Sequence, residues 1–191
     1  MQQITRLPNS LIAMHTHSLI CHPRTTNPPA LRITASVLAL GHHQLQISYS
    51  VSGSLALIDI PPTRNKLATD GLWEHTCFEA FISQPDSSNY VEFNFSPSGQ
   101  WAAYAFSTYR QRLPWEESQT PEISLTVSGD TLTLTSRFAC LLAAPTAQLE
   151  IGLSCVIEHT DHSKSYWALA HPREQPDFHD RAAFTLPLLS L

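Results

Sequence analysis

The chain is 191 residues long, enough for one domain with a sizeable core. Only 14% of its residues are charged while 42% are hydrophobic, and 14 prolines are spread along it, a balance that suits an all-β domain better than a helical one. The net charge is −5 with histidine neutral and no basic run exceeds two residues, which sets aside nucleic acid and anionic membranes as partners.

Residues 1–29 mix scattered apolar residues with several histidines and read as an N-terminal extension, with an edge strand around Ser10–Met14. The rest, 30–191, reads as one domain. Leu31–Leu40 is the first clear strand, Gly41-His42-His43 turns the chain, and Gln44–Val51 returns with Leu45, Ile47, Tyr49 and Val51 alternating. Leu55–Ile60 is a further strand ended by Pro61-Pro62, and residues 61–72 form a loop that closes at Asp70-Gly71.

Trp73–Tyr109 is the organising stretch. Thr76–Ser83 and Tyr90–Ser96 alternate, Pro97-Ser98-Gly99-Gln100 makes a tight turn, and Trp101–Thr108 is a third strand. Pairing Ser83 with Tyr90 and Ser96 with Trp101 puts Phe78, Ala80, Ile82, Val91, Phe93, Phe95, Ala102, Tyr104 and Phe106 on a core face. The opposite face then collects Cys77, Glu79, Phe81, Glu92, Asn94, Ser96, Trp101, Ala103 and Ala105. A solvent face would carry more Lys, Arg and Thr. Acids, an amide, aromatics and small alanines instead suggest the lining of a shallow groove, or else a second packing face.

Beyond a charged loop, Ile123–Val127 and Thr131–Arg137 flank Ser128-Gly129-Asp130 as a hairpin. Phe138–Thr146 is the one segment that reads as a short helix, with Pro145 ending it. Gln148–Glu158 is a long apolar strand, Tyr166–Ala170 a short aromatic one, Arg173–Asp180 a Pro-broken loop and Ala182–Leu186 a final strand. About ten short strands with turns roughly every 8–12 residues predict a single antiparallel, jelly-roll-like β-sandwich.

The four cysteines, Cys21, Cys77, Cys140 and Cys155, form no C-x-x-C pair, and buried free thiols are expected at Cys77 and Cys155. The N-terminus shows neither a signal peptide nor an apolar run long enough to span a bilayer, so a cytoplasmic location is the expectation.

DGLWEHTCFEAFI followed by YVEFNFSPSGQWAAYAFSTYR, with the later IGLSCVIEH and YWALAHP…PDFHDRAAFTL, resembles the DOMON-like superfamily, and within it the branch close to family 9 carbohydrate-binding modules. The resemblance covers about residues 30–188. It implies a β-sandwich that binds a ligand without catalysis. In the sugar-binding branch, aromatics stack on the sugar while carboxylates and amides take its hydroxyls. The matching positions here are Trp73, Trp167, Glu79 and Asn94, with Arg110 for the branch's usual basic residue.

Glu79 and Glu92 are diagonal neighbours in the derived register, with Cβ atoms roughly 7 Å apart, a spacing compatible with a glycosidase pair. Because the resembling family binds without cutting, they are read as acceptors for ligand hydroxyls. Trp101, beside the turn, caps the groove or shields it. Glu158-His159-Thr160-Asp161-His162 holds metal-capable residues, but His159 and His162 form an i, i+3 pair with no helix around them, and no metal is assigned. Haem is the rival cofactor. Met1 and Met14 lie outside the resemblance, leaving His75 with His159 or His171 as a bis-His pair, and an acidic face suits haem poorly. The expected function is non-catalytic binding of a small polyhydroxylated ligand, a saccharide, at Trp73, Glu79, Glu92, Asn94, Trp101, Arg110 and Trp167, with no cofactor. A haem electron-transfer domain and a protein–protein interaction module are the alternatives.

Overall fold

The structure is a computed structural model that describes residues 16–26, 29–41, 43–114, 119–140 and 148–189. The edge strand expected around Ser10–Met14 lies outside these residues, as does most of the helix expected over Phe138–Thr146. In chain order the strands are β1 (Thr16–Ser18), β2 (Ile20–Cys21), β3 (Leu31–Gly41), β4 (Gln44–Gly53), β5 (Cys77–Ser83), β6 (Tyr90–Phe95), β7 (Trp101–Thr108), β8 (Gln111–Leu113), β9 (Glu122–Ser128), β10 (Thr131–Ala139), β11 (Gln148–Glu158), β12 (Lys164–Ala168) and β13 (Leu186–Leu189). Among the described residues the only helical pieces are three 3-10 turns, at Leu55–Leu57, Leu72–Glu74 and Arg181–Ala183. The expected antiparallel sandwich is the observed one.

Sheet A runs β1-β3-β4-β10-β9, and sheet B runs β2-β12-β11-β5-β6-β7-β8 with β13 also on β11. The short β1 and β2, within residues 1–29, pair with β3 and β12 at the edges of the two sheets. Alternation dictates the core. Ile33, Ala35 and Val37 of β3, with Leu45, Ile47, Tyr49 and Val51 of β4, face Phe78, Ala80, Ile82, Phe93, Leu153 and Ile157 of sheet B. The Tyr49 hydroxyl spans this layer and donates to the Glu79 carbonyl at 2.6 Å, fully buried, which pins β5 against the opposite sheet.

Three expectations are corrected. Leu55–Ile60 is not a strand: Leu55–Leu57 close a 3-10 turn, and only Ile58 makes a bridge, to His159. Pro61-Pro62 follow directly, and proline supplies no amide to extend a ladder. Ala182–Leu186 is likewise displaced: Arg181–Ala183 is a 3-10 turn capped by the Asp180 carboxylate, and the final strand begins at Leu186.

The third correction is to register. Ser83 does oppose Tyr90, but Trp101 opposes Phe95 rather than Ser96. The Gly99 amide donates to the Ser96 carbonyl at 2.9 Å and the Ser96 amide to the Gln100 carbonyl at 3.0 Å, so the turn consumes three residues, not four. Gly99 makes this turn with φ +89, the left-handed position that a three-residue hairpin requires. One residue of slip exchanges the faces of β7. Trp101, Ala103 and Ala105 therefore turn to the core, and Ala102, Tyr104 and Phe106 join Glu79 and Glu92 on the outer face of sheet B.

Candidate ligand-binding site

That outer face does not meet water along its length. The segment 169–185 crosses it, and Phe184 and Ala183 pack with Phe81, Tyr90 and Phe106 as a second small core. Gly152 of β11 makes room: a Cβ there would lie 2.7 Å from Phe184 Cδ1. The groove expectation and its packing-face alternative are thus both realised, at different ends of one surface. Where the segment lifts from the sheet, a cavity of about 370 Å³ remains, with Glu79, Glu92 and Val156 on the strands, Phe106 and Arg110 to one side, and Phe178 and His179 to the other.

Each side chain is positioned for a local reason. Gly71, at φ +76, starts the 3-10 turn Leu72–Glu74, whose Leu72 is buried and whose Trp73 stands at the cavity. The Trp73 ring meets Tyr104 edge-on, with centroids 5.7 Å apart, and the Arg112 guanidinium lies 4.0 Å from the Tyr104 ring centroid and 5.6 Å from that of Trp73. Arg110 occupies the β7–β8 turn with φ +55, a costly conformation for a residue with a Cβ. Its amide donates to the Tyr90 hydroxyl at 3.0 Å and its guanidinium to Asp177 at 3.0 Å. Burial pushes the Asp177 carboxyl up, but hydrogen bonds from Tyr109, the His179 amide and Arg110 outweigh it and hold Asp177 below its ordinary value.

The floor is carboxylic. Glu79 and Glu92 are 3% and 4% exposed. Burial, then the neighbouring Glu92, push Glu79 well above the usual carboxylate range, with Arg110 opposing. Burial also raises Glu92, while the Asn94 amide, Arg112 and Arg110 pull it back. Asn94 donates from Nδ2 to Glu92 Oε1 at 2.7 Å and accepts from the Cys77 thiol at 3.5 Å, which fixes one oxygen of Glu92. Among the described residues Glu79 Oε1 is buried without a hydrogen-bond partner. His179 closes the other side. The Tyr90 hydroxyl accepts from the Arg110 amide at 3.0 Å and shares a hydrogen bond with His179 Nδ1 at 2.9 Å. His179 Nε2 lies 3.7 Å from Glu92 Oε2. Burial and then Arg110 lower the His179 pKa to about 4, so the ring is neutral near pH 7.

The site residues expected from sequence thus divide. Trp73, Glu79, Glu92 and Arg110 come together around the cavity. Asn94 lies beneath it, spent on Glu92 and Cys77. Trp101 and Trp167 are elsewhere. Trp101 turns to the core by the register slip, and Trp167 opposes Cys155 on the core side, its indole N–H donating to Ser165 at 2.9 Å. Parity puts its neighbour Tyr166 on the outer face in its place, and Tyr166 lines the cavity.

Sequence reasoning also missed Arg112, Lys164 and Phe178, and gave no part in the groove to the metal-capable His179. The last two sit in a loop with no periodicity to read, and its density of aromatic and histidine residues was the only signal. His159 bonds Ser165 at 2.9 Å, while His162 lies 3.8 Å from Glu158, whose other oxygen is 2.7 Å from His75. His171 bonds the Ile20 carbonyl. None of these histidines lines the cavity, and among the described residues no group of three His, Cys, Asp or Glu is placed to hold a metal ion.

No protein-family model matches the chain. No curated protein matches it either. Solved structures do. A Bacteroides uniformis protein with a suggested carbohydrate-binding role superposes with a TM-score of 0.71 at 13% identity, over 93% of this chain and 87% of that one. A family 9 carbohydrate-binding module from Caldicellulosiruptor kristjanssonii, solved with glucose, superposes with a TM-score of 0.53 at 8% identity, over 82% of this chain and 74% of that one. The fold is CBM9-like. The resemblance expected from Trp73–Tyr109 and the C-terminal motif thus holds as a likeness of fold to the family 9 modules.

Proposed function

We propose that the cavity over sheet B binds a saccharide and does no chemistry on it. The observation that carries this reading is Glu79: a carboxyl is buried at the floor of a cavity with one oxygen unpaired. An unpaired buried polar atom is costly, and a ligand hydroxyl relieves the cost. The surroundings suit a sugar ring. Trp73, Phe106, Tyr166 and Phe178 offer aromatic surface to its apolar C–H faces, while Glu92, Arg110 and Arg112 offer acceptors and donors to its hydroxyl edge. Glu79, held above the usual carboxylate range, both donates and accepts when protonated. The likeness to a module solved with glucose and to a protein with a suggested carbohydrate-binding role supports the same reading.

Catalysis by Glu79 and Glu92 calls for one carboxylate kept ionised as nucleophile or base. Glu92 is instead spent on Asn94 through Oε1, and the solved structures of like fold are described as carbohydrate-binding. Binding without turnover is therefore the reading adopted.

The test is a glycan array followed by calorimetry on the sugar that binds most strongly, with a thermal melt on the same samples. Glu79→Gln and Trp73→Ala are each expected to lose roughly 1–3 kcal/mol of binding while remaining folded. Variants that melt early yet bind normally per folded molecule would make this face a packing surface.

A further inference from the structure

A second cavity, of about 520 Å³, adjoins the first and shares Lys164, Tyr166 and Pro176 with it. Its walls come from β12 and from two loops that are tied down. The His22 amide donates to the Tyr166 carbonyl at 2.8 Å and the Thr25 amide to the His22 carbonyl at 2.9 Å, which fixes the loop carrying Arg24, Thr25 and Thr26 to the strand. Glu174 holds Arg24 at 2.6 Å, and Gln175 and Pro176, next in the chain, line the other side.

The two cavities differ in charge. Around the first, Glu74, Glu79 and Glu92 stand among Arg110, Arg112 and Lys164. Around the second, among the described residues, Arg24 and Lys164 meet no carboxylate, on a chain with 16 acidic and 11 basic residues. Neighbouring acids are spent elsewhere. Glu158, opposite Lys164 in the ladder, bonds His75 at 2.7 Å, and Asp161 accepts from the Ser163 hydroxyl at 2.6 Å. Lys164 is half-buried, and among the described residues its ammonium has no ion pair or hydrogen bond. Thr25 Oγ1 is likewise buried without a partner. An ammonium and a hydroxyl left unpaired at one cavity are best met by acceptor oxygens that carry negative charge.

We propose that the second cavity is an oxyanion site, and that its ligand is a small organic phosphate or sulfate monoester. Lys164 reaches it from the strand as a point charge and the threonines reach it from the loop, so the donors converge from separate elements. A tetrahedral oxyanion turns an oxygen toward each. A planar carboxylate is better suited to an arginine fork, and Arg24 is already engaged by Glu174. The space exceeds what one ion needs, since a water occupies about 30 Å³ of liquid. The remainder takes the organic body of the ester, against the Tyr166 ring and Pro176. This site stands apart from the saccharide reading, and no sugar enters its test.

The experiment is an amide NMR titration with phenyl phosphate, phenyl sulfate, inorganic phosphate and inorganic sulfate, and with benzyl alcohol as the uncharged control. The proteins are the wild type, Lys164→Met, Lys164→Arg and Thr25→Val, each checked by thermal melting. Lys164→Met keeps most of the stem and removes the charge. The phenyl esters are expected to give saturable shifts at Thr25, Thr26, Lys164 and Tyr166, and benzyl alcohol none. Lys164→Met is expected to weaken the esters about ten-fold or more and Thr25→Val about three-fold or more, while Lys164→Arg stays within about three-fold of the wild type. Tighter binding of phenyl phosphate assigns a phosphate ester, and tighter binding of phenyl sulfate a sulfate ester. An inorganic ion that binds as tightly as its phenyl ester overturns the organic body. Shifts that do not saturate, or a folded Lys164→Met that binds as the wild type does, overturn the site. If Lys164→Met melts early, the wild type decides: its affinity for the esters is expected to fall as salt rises from about 0.05 to about 0.5 M, and affinity independent of salt overturns the site equally.

Discussion

Glu79 and His179 face each other across one small cavity, and burial acts on them with opposite sign. Burial raises Glu79, so above its ordinary value of 4.5 the unfolded chain ionises while the folded chain keeps its proton, and stability falls as pH rises through that window. His179 is lowered from 6.5 to about 4, so between those values the unfolded chain takes a proton that the folded chain refuses, and stability falls as pH drops. The His179 contribution is about 3 kcal/mol at most, at roughly 1.4 kcal/mol for each tenfold change in proton affinity. The two windows overlap above pH 4.5 with opposite sign, so denaturant midpoints measured across the pH range are expected to separate them through the variants. Glu79→Gln flattens the alkaline limb. His179→Phe flattens the acid limb, at a constant cost of about 1–3 kcal/mol for the lost Tyr90–His179 hydrogen bond. Differences from wild type that stay constant with pH would mean that neither side chain is held as described.

At the scale of the element, parity decides which residues reach the site. Alternation in β5 and β6 is readable from the sequence because the Ser83–Tyr90 pairing closes their hairpin, and it places Glu79 opposite Asn94. Parity is lost at β7, where the faces depend on whether the turn takes three or four residues and only the left-handed Gly99 settles the matter. Trp167 illustrates the same point: a family resemblance marks a Trp near the C-terminal end, but pairing with Cys155 sends it inward and Tyr166 outward. Phe93 survives the slip, because its face is set by β5 rather than β7. It is fully buried, with its ring 4.3 Å from that of Phe138. Phe93→Ala is expected to cost about 3–5 kcal/mol in denaturant titration, and a loss below about 1 kcal/mol would put it on the wrong face. Gly152 carries the converse argument. Gly152→Ala drives a Cβ against the Phe184 ring and is expected to cost about 1–3 kcal/mol. It should also weaken saccharide binding, since Phe178 and His179 belong to the segment that Phe184 anchors. Calorimetry showing unchanged affinity in a destabilised Gly152→Ala would separate that wall from the site.

For the whole molecule, the two faces of sheet B have different tasks. The inner face joins sheet A in the main core, with Tyr49 pinned to the Glu79 carbonyl. The outer face is shared between a small aromatic core under segment 169–185 and the cavity beside it. Hydrophobic alternation and turn spacing make the sandwich legible, because every strand of the main core obeys a period of two. The crossing segment is illegible for the opposite reason: a Pro-broken loop has no period, and Arg181 secures it by bonding Gln84 and Glu150, contacts that only the folded chain brings together. Among the described residues no helix is long and apolar enough to cross a membrane. The central claim is that ligand binds on the outer face of sheet B. Backbone amide chemical shifts, followed by NMR while the best array sugar is titrated in, test it most directly. The expected result is a set of saturable shifts at Trp73, Glu79, Glu92, Arg110, Tyr166 and residues 176–179, with β3, β4 and β10 unmoved. Shifts confined to sheet A, or to its β1 and β9 edges, would contradict it.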